Sequence, residues 1–569
     1  MTRSQTRPLA AAIALAALGL AAFAPAPGAF EVKLTPGHMD AKAGRGFLDV
    51  TLEIPDVEVA AGAPLLTLPI VIANTDTVAT TLTGLTATDA AGPVPLTVKD
   101  DPVAIAYSRH WLAGRAVNGA VTVHYRAPID DTPPARGSGP PYSLRTEGGG
   151  LSAVGNTFIL LPEGKRAYPI TLTWDLAALP KGSTAMSSYG DGEVRMPVGP
   201  ASRLHSALFM AGPMHREPAQ VKPAGFSAAW LGEPPFDPRP LMVWAGKLHG
   251  WMSGFFKDPA EPPYRVILRY NPINAGGGAA LTNSFLLTWG ESAKDPEKLK
   301  GTLAHEMIHT WTASGLGGQW YGEGIAVHYQ ALLPLRAGMI TPDDFLSDLN
   351  ATARRYYTNA LNGTPDREIA ARFWEDTRIR TLPYDRGAMY FAVLDGRIRR
   401  ASGGAHSLDD LINEMVRRRR VGLPMDEAAW LDLIGKELGE DGRRLHADML
   451  AGKLMLPRSD DFGPCFSRTT ARFRRFDLGF EPKSLVGDIK TIRDLQLDSE
   501  AAKAGLRNGD VVTYSVAMDS VQGDPTRFLT LKVTRDGKTF PITYLPRGEM
   551  VDAYQWVRVA SVADAKCVY

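Results

Sequence analysis

Leu303-Ala304-His305-Glu306-Met307-Ile308-His309-Thr310-Trp311 is the stretch on which the reading of this chain turns. Leu299, Leu303, Met307 and Trp311 recur at helical spacing, so an amphipathic helix is predicted. Asp295-Pro296-Glu297 supplies its start, with a side-chain cap, Pro at the first helical position and an acid in the first turn; the stop is expected near Gly315. His305 and His309 are one helical turn apart, so both imidazoles project from one face and can share a cation. Two neutral imidazoles suit Zn²⁺, which prefers nitrogen ligands in a tetrahedral set. Glu306 is angularly adjacent and can reach a water on that cation without ligating it.

A third ligand must come from a second element that returns past this helix. Trp320-Tyr321-Gly322-Glu323-Gly324-Ile325-Ala326-Val327-His328-Tyr329 offers Glu323, and Gly315, Gly317 and Gly318 allow the tight reversal between the two. His305, His309 and Glu323 would leave a fourth position open, as catalytic zinc requires. His328 is the competing candidate; five residues from Glu323, it falls on a different helix face. In Leu382-Pro383-Tyr384-Asp385-Arg386-Gly387-Ala388, the Tyr384 phenol is a candidate donor to the oxyanion that hydrolysis creates.

Outward from this centre the chain divides by pattern. Residues 30–198 carry short alternating runs such as Leu48–Ile54, Leu66–Ile72 and Val121–Tyr125, the pattern of an antiparallel β-sandwich, with Ala127 to Gly150 read as a long loop. Arg265–Tyr270 and Ser284–Trp289 read as strands flanking the flexible Gly276-Gly277-Gly278. Thr341 to about Leu454 reads as helical, opened by Thr341-Pro342-Asp343-Asp344 and, further on, by Ser407 with Asp410. The run Arg417 to Arg420 closes that second helix, where cations favour the macrodipole and solvent. Short strands return from about Cys465.

Composition sets the outer limits. In 569 residues, 62 Lys and Arg against 61 Asp and Glu leave no basic excess to draw nucleic acid or an anionic membrane. Arg3 and Arg7, the apolar Leu9 to Phe23 and the small, Pro-rich Ala24 to Ala29 read as a secretory signal, too short to span a bilayer. No later stretch is long and apolar enough to cross one. The exported chain would carry a net charge of −1, and Cys465 and Cys567 would face an oxidising compartment, periplasmic or extracellular.

His305-Glu306-x-x-His309, Trp320-x-x-Glu323-Gly324 and Pro383-Tyr384-Asp385-Arg386-Gly387 together resemble the glycyl aminopeptidase-like zinc metallopeptidases, a branch of the gluzincins. The resemblance implies a multidomain α+β chain: a signal at 1–29, a β-sandwich domain at 30–198, a thermolysin-like zinc catalytic domain at 199–335, a helical domain completing the site at 336–460 and a PDZ domain with its tail at 461–569. It implies Zn²⁺ on His305, His309 and Glu323, Glu306 as general base, Tyr384 as oxyanion donor, and a peptide or protein substrate. Members of that family usually carry a Gly-Gly-Leu-Glu-His type segment on the edge strand before the zinc helix, its Glu suited to a free amino terminus. Here Gly276 to Ser284 has no acid, which leaves cleavage of internal bonds as the alternative to aminopeptidase action.

Phe476-Asp477-Leu478-Gly479-Phe480 resembles the carboxylate-binding loop of PDZ domains, and Ser499 to Val512 their helix, turn and strand. On that reading Leu478, Gly479 and Phe480 would receive a peptide C-terminus. Cys465 and Cys567 bracket the module, and a disulfide between them would tie the tail to its entrance. A catalytically silent peptide-binding scaffold is the remaining alternative, against which the intact Glu306 and Tyr384 argue.

Overall fold

The computed structural model describes residues 28–567 apart from 41, 43, 44, 73, 74, 105, 133–142, 223, 273, 274, 292, 313–315, 317 and 488. The expected secretory signal therefore lies, up to residue 27, outside the described residues. Phe30–Pro36 alternates buried and exposed side chains, as a strand with one face on a core must. It belongs to a seven-stranded sheet running Val194–Pro200, Ala167–Trp174, Phe30–Pro36, Arg45–Val59, Val117–Asp130, Thr83–Asp89, Gly92–Pro93. A second sheet, containing Pro64–Ile72 and Tyr107–Ala113, faces it, and Val32, Leu34, Val50, Leu52, Leu66, Leu68, Trp111 and Phe158 share the core.

Two expectations change here. Phe30–Pro36 pairs with Ala167–Trp174 in parallel, so the sandwich is not wholly antiparallel; sequence alternation reports a half-buried face and is silent about strand direction. The segment from Ala127 to Gly150 is not all loop. Its first residues end the strand Val117–Asp130 and its last form Arg145–Glu147 and the start of Gly150–Val154, while 133–142, with the Pro pairs, are outside the described residues. A third sheet takes strands from either side of residue 198, with Leu208–Gly212 between Gly150–Val154 and Thr184–Ser187.

That third sheet packs Val154, Met186, Leu208 and Met210 on Ala229, Leu231, Ile267 and Leu286 of a fourth. The fourth sheet runs His215–Glu217, Phe226–Trp230, Tyr264–Tyr270, Ser284–Trp289, Gly278–Leu281, the last being the edge strand. The triple Gly is thus a loop only in part: Gly278 already lies on the edge strand, where a Cβ would stand 1.8 Å from the Leu286 carbonyl oxygen. Helices α1 (Arg239–Phe255), α2 (Lys300–Thr312) and α3 (Gln319–Arg336) cover the other face of this sheet and contribute Leu248, Met252, Leu303, Met307, Trp311 and Ile325 to its core. The Asp295 carboxylate accepts from the Glu297 amide at 3.1 Å and opens a short 3₁₀ turn ahead of α2. Described residues of α2 end at Thr312; the stop expected near Gly315 lies outside them.

The helical region comprises α4 (Pro342–Tyr357), α5 (Asp366–Arg372), α6 (Thr377–Arg380), α7 (Leu382–Ala401), α8 (Leu408–Arg420) and α9 (Glu427–Leu450). Thr341 with Asp344, and Ser407 with Asp410, form the capping boxes that the sequence predicts. The arginines ending α8 do more than face solvent: Arg419 donates to the carbonyls of Thr310 and Trp311, capping the last turn of α2, and Arg420 donates to the Lys257 carbonyl.

C-terminally, the strands Phe466–Phe476 and Arg547–Arg558 form a ribbon, and Val511–Thr513, Leu529–Arg535 and Lys538–Tyr544 a small sheet with α10 (Glu500–Lys503) and α11 (Met518–Gly523). Asn350 of α4 bonds both backbone groups of Trp556 at 2.8 Å, docking the ribbon on the helical region. Cys465 and Cys567 form a disulfide across a sequence separation of 102. Closing a loop of that length stabilises by roughly 4 to 5 kcal/mol in the chain-entropy picture. Among the described residues no helix is long and apolar enough to cross a membrane.

Candidate active site

Helix α2 presents His305 and His309 on one face, ring centroids 5.0 Å apart and nearly perpendicular. Helix α3 returns past them and puts Glu323 Oε2 3.2 Å from His305 Nε2 and 3.4 Å from His309 Nε2. One donor atom from each of the three lies within 4.8 Å of the others, a spacing and donor set that fit a single Zn²⁺. His328 is not in this cluster. Its ring lies between Tyr329 and Phe391, at 5.2 and 6.4 Å between centroids, and burial depresses it to about 3, so it is neutral and occupied in packing.

Two groups that the motifs do not include fix His305. Its Nδ1 is 3.1 Å from Gln330 Oε1, and Gln330 Nε2 donates to Asp348 Oδ1 at 2.8 Å. A carboxylate only accepts, so Asp348 takes the amide NH₂ and turns the Gln330 carbonyl toward His305. The proton then sits on Nδ1 and the Nε2 lone pair points at the cluster, the orientation a metal needs. Seven residues, two helical turns, bring Gln330 back onto the face of Glu323, and that spacing is the signal by which sequence reading could have found it. Replacing Gln330 by Leu is expected to weaken Zn²⁺ binding about 10- to 100-fold. Competition with a chromophoric chelator measures it, and an unchanged affinity would contradict this role.

Tyr384 arrives by a different route. A Cβ on Gly324 would lie 2.6 Å from the Gly387 Cα, and one on Gly387 2.6 Å from the Trp320 carbonyl oxygen. The glycines of the two motifs therefore serve one purpose: α3 and α7 cross with their backbones in contact. That crossing lays the Tyr384 ring 6.0 Å from His305, 16° from parallel. Its neighbours in the motif turn away from the site. Asp385 is buried and accepts from Arg355 Nε at 2.8 and 2.9 Å; Arg386, fully buried, donates to the Thr364 carbonyl at 2.6 Å.

Charge states follow from these surroundings. Burial opposes ionisation of Glu323, but His305 and His309, when their rings are protonated toward it, outweigh burial and hold the carboxyl at about 2. Burial raises Glu306 above the usual carboxylate range against the opposing pull of the two histidines, as would suit a general base. Tyr384 is pushed well up by burial and by the charges of Glu323, Glu306 and Asp519, so it stays a phenol and a donor. The edge strand Gly278–Leu281 lies alongside, since Thr302, one turn before His305, donates to the Gly276 carbonyl at 3.3 Å. Its unpaired side can add an extended chain by main-chain hydrogen bonds.

Leu478, Gly479 and Phe480 lie far along the sequence, in the C-terminal region. Leu478 and Phe480 are buried in its core, and Gly479 takes a positive φ of 78°. The Gly479 amide is already spent on Asp477 Oδ1 at 2.8 Å. A groove of about 620 Å³ beside Val393, Arg397, Glu437 and Arg458 shares no residue with the His305 cluster.

No protein-family model matches the sequence, and no curated protein does. Solved structures do match the fold. The aminopeptidase N family protein from Idiomarina loihiensis superposes with a TM-score of 0.64 at 16% identity, over 93% of this chain and 98% of that one, so the two share a fold. An M1 zinc metallopeptidase from Deinococcus radiodurans aligns at a TM-score of 0.46 and 14% identity, over 76% of this chain and 95% of that one. Yeast LTA4 hydrolase aligns at 0.45 and 12%, over 76% and 68%.

Proposed function

We propose that this chain is an exported zinc metallopeptidase that hydrolyses peptide bonds. The observation that carries the reading is the convergence of His305, His309 and Glu323 with Glu306 and Tyr384 at one place, from three helices. The shared fold with a protein described as of the aminopeptidase N family supports it. A zinc ion held by His305, His309 and Glu323 would supply Lewis acidity at the scissile carbonyl. Glu306 takes the proton of the attacking water and delivers it to the leaving amine. Tyr384 donates to the oxyanion, and the edge strand Gly278–Leu281 holds the substrate extended.

Aminopeptidase action follows from the family resemblance, and internal cleavage from the edge strand, whose residues 276–284 include no carboxylate to pair with a substrate ammonium. Digestion of a peptide library with free and blocked amino termini, read by mass, separates the two. Equal cutting of both classes is the result expected from the missing acid; cutting confined to free termini would establish an aminopeptidase, and no cutting at all would favour the silent scaffold. Export rests on the signal pattern of residues 1–29 and is supported by the Cys465–Cys567 disulfide. A PDZ fold for 461–569 rests on the resemblance, and peptide capture there requires Asp477 to release the Gly479 amide.

A further inference from the structure

We infer that helix α11 of the C-terminal region is a positioning element of the active site, in which Asp519 and Gln522 hold the α6–α7 junction that presents Tyr384. The inference rests on the proposed peptidase reading, because it assigns Tyr384 a part in turnover.

Tyr384 is the third residue of α7, in the turn that follows the α6–α7 junction at Thr381. The residue before α7, Thr381, lies in the helical region of backbone space at φ −80° and ψ −10°, and its side chain makes no capping bond. Backbone bonds from the Thr381 amide to Thr377 and from the Asp385 amide to Thr381, both 3.0 Å, carry α6 into α7, and side chains of α11 hold that junction from outside. Gln522 Nε2 donates to Thr381 Oγ1 at 3.2 Å. Asp519 accepts from Arg380, through Nε at 3.0 and 3.1 Å and Nη2 at 2.6 Å, and from the Thr377 hydroxyl. Three residues leading into α7 are thus bound by two side chains more than 130 positions later in the chain.

The residue after Tyr384 is held by α4, whose Arg355 grips Asp385. Arg354, next to it on α4, donates to the Gly523 carbonyl at the end of α11 at 2.9 Å, and Arg547 donates to the Val521 carbonyl at 2.6 Å. α4, α11 and the α6–α7 junction are consequently bonded to one another in a closed circuit that includes Asp385, the residue next to Tyr384. Asp519 is 45% exposed at its side chain and Arg380 19%, so the pair is partly solvated. What it fixes is local geometry, and a displacement near 1 Å at a reacting group costs up to about 100-fold in rate.

The test is a double-mutant cycle on the full-length zinc-loaded chain, with kcat, KM and zinc content measured for wild type, Asp519→Ala, Tyr384→Phe and the double variant. The expected result is a kcat lowered about 10- to 100-fold by Asp519→Ala, with KM and zinc content unchanged, because the lost interaction matters only in the transition state. In the Tyr384→Phe background the same substitution is expected to change kcat less than about two-fold. Gln522→Ala is expected to repeat the pattern more weakly, and Asp519→Glu to recover part of the loss. Wild-type kcat in both Asp519→Ala and Gln522→Ala, or an Asp519→Ala effect that persists in full without the Tyr384 hydroxyl, would overturn the inference and leave the peptidase reading standing. A wild-type chain that binds zinc and cuts no peptide would remove both.

Discussion

Replacing Glu306 by Gln leaves a chain that still binds one zinc ion and turns over peptide about 10²- to 10⁴-fold more slowly, the range that a positioned general base contributes. The argument is one of reach and charge. Glu306 lies on α2 between the two histidines yet is not part of the three-donor cluster, so the amide keeps the metal site and the fold. What disappears is a carboxylate whose affinity for protons is raised by burial. Zinc content and single-turnover rates on the same peptide measure the two effects separately. Full activity in this variant would remove Glu306 from the mechanism.

His309→Ala is expected to lose zinc as well as hydrolysis. Only His305, His309 and Glu323 form a metal-competent group among the described residues, so two donors remain and none nearby can substitute; His328 is held apart against Tyr329 and Phe391. The affinity loss should exceed the roughly 10- to 100-fold expected for Gln330→Leu, which removes a support behind a ligand and not the ligand itself. Elemental analysis after dialysis checks it. Stoichiometric zinc in His309→Ala would mean that the metal sits elsewhere.

The legibility of the site was uneven for a physical reason. His305, Glu306 and His309 are local to one helix, and a 3.6-residue period converts their spacing directly into a shared face. Glu323 needed only one tight reversal more. The capping residues Asp295, Thr341 and Ser407 were legible because a cap acts within three or four residues. Gln330 is marked only by its seven-residue spacing from Glu323, and Asp348, on a separate helix, carries no mark of the imidazole it helps to orient. The Arg380–Asp519 pair spans 139 positions and depends on how the C-terminal region docks, which no local pattern encodes. Gly324 and Gly387 show the same limit: each reads as a motif glycine, and only the crossing of α3 with α7 reveals that they meet. In the β region, alternation located Leu48–Ile54 and Val121–Tyr125 but could not tell that Phe30–Pro36 has one parallel neighbour.

The central claim is that a zinc ion on His305, His309 and Glu323 makes this chain a peptidase. Stripping the purified protein of metal and titrating Zn²⁺ back while following peptide hydrolysis tests that claim most directly. Activity that is absent from the stripped protein and rises to a plateau at one equivalent of zinc is the expected result. Hydrolysis that persists without zinc, or a protein that takes up one equivalent and never cuts peptide, would contradict it.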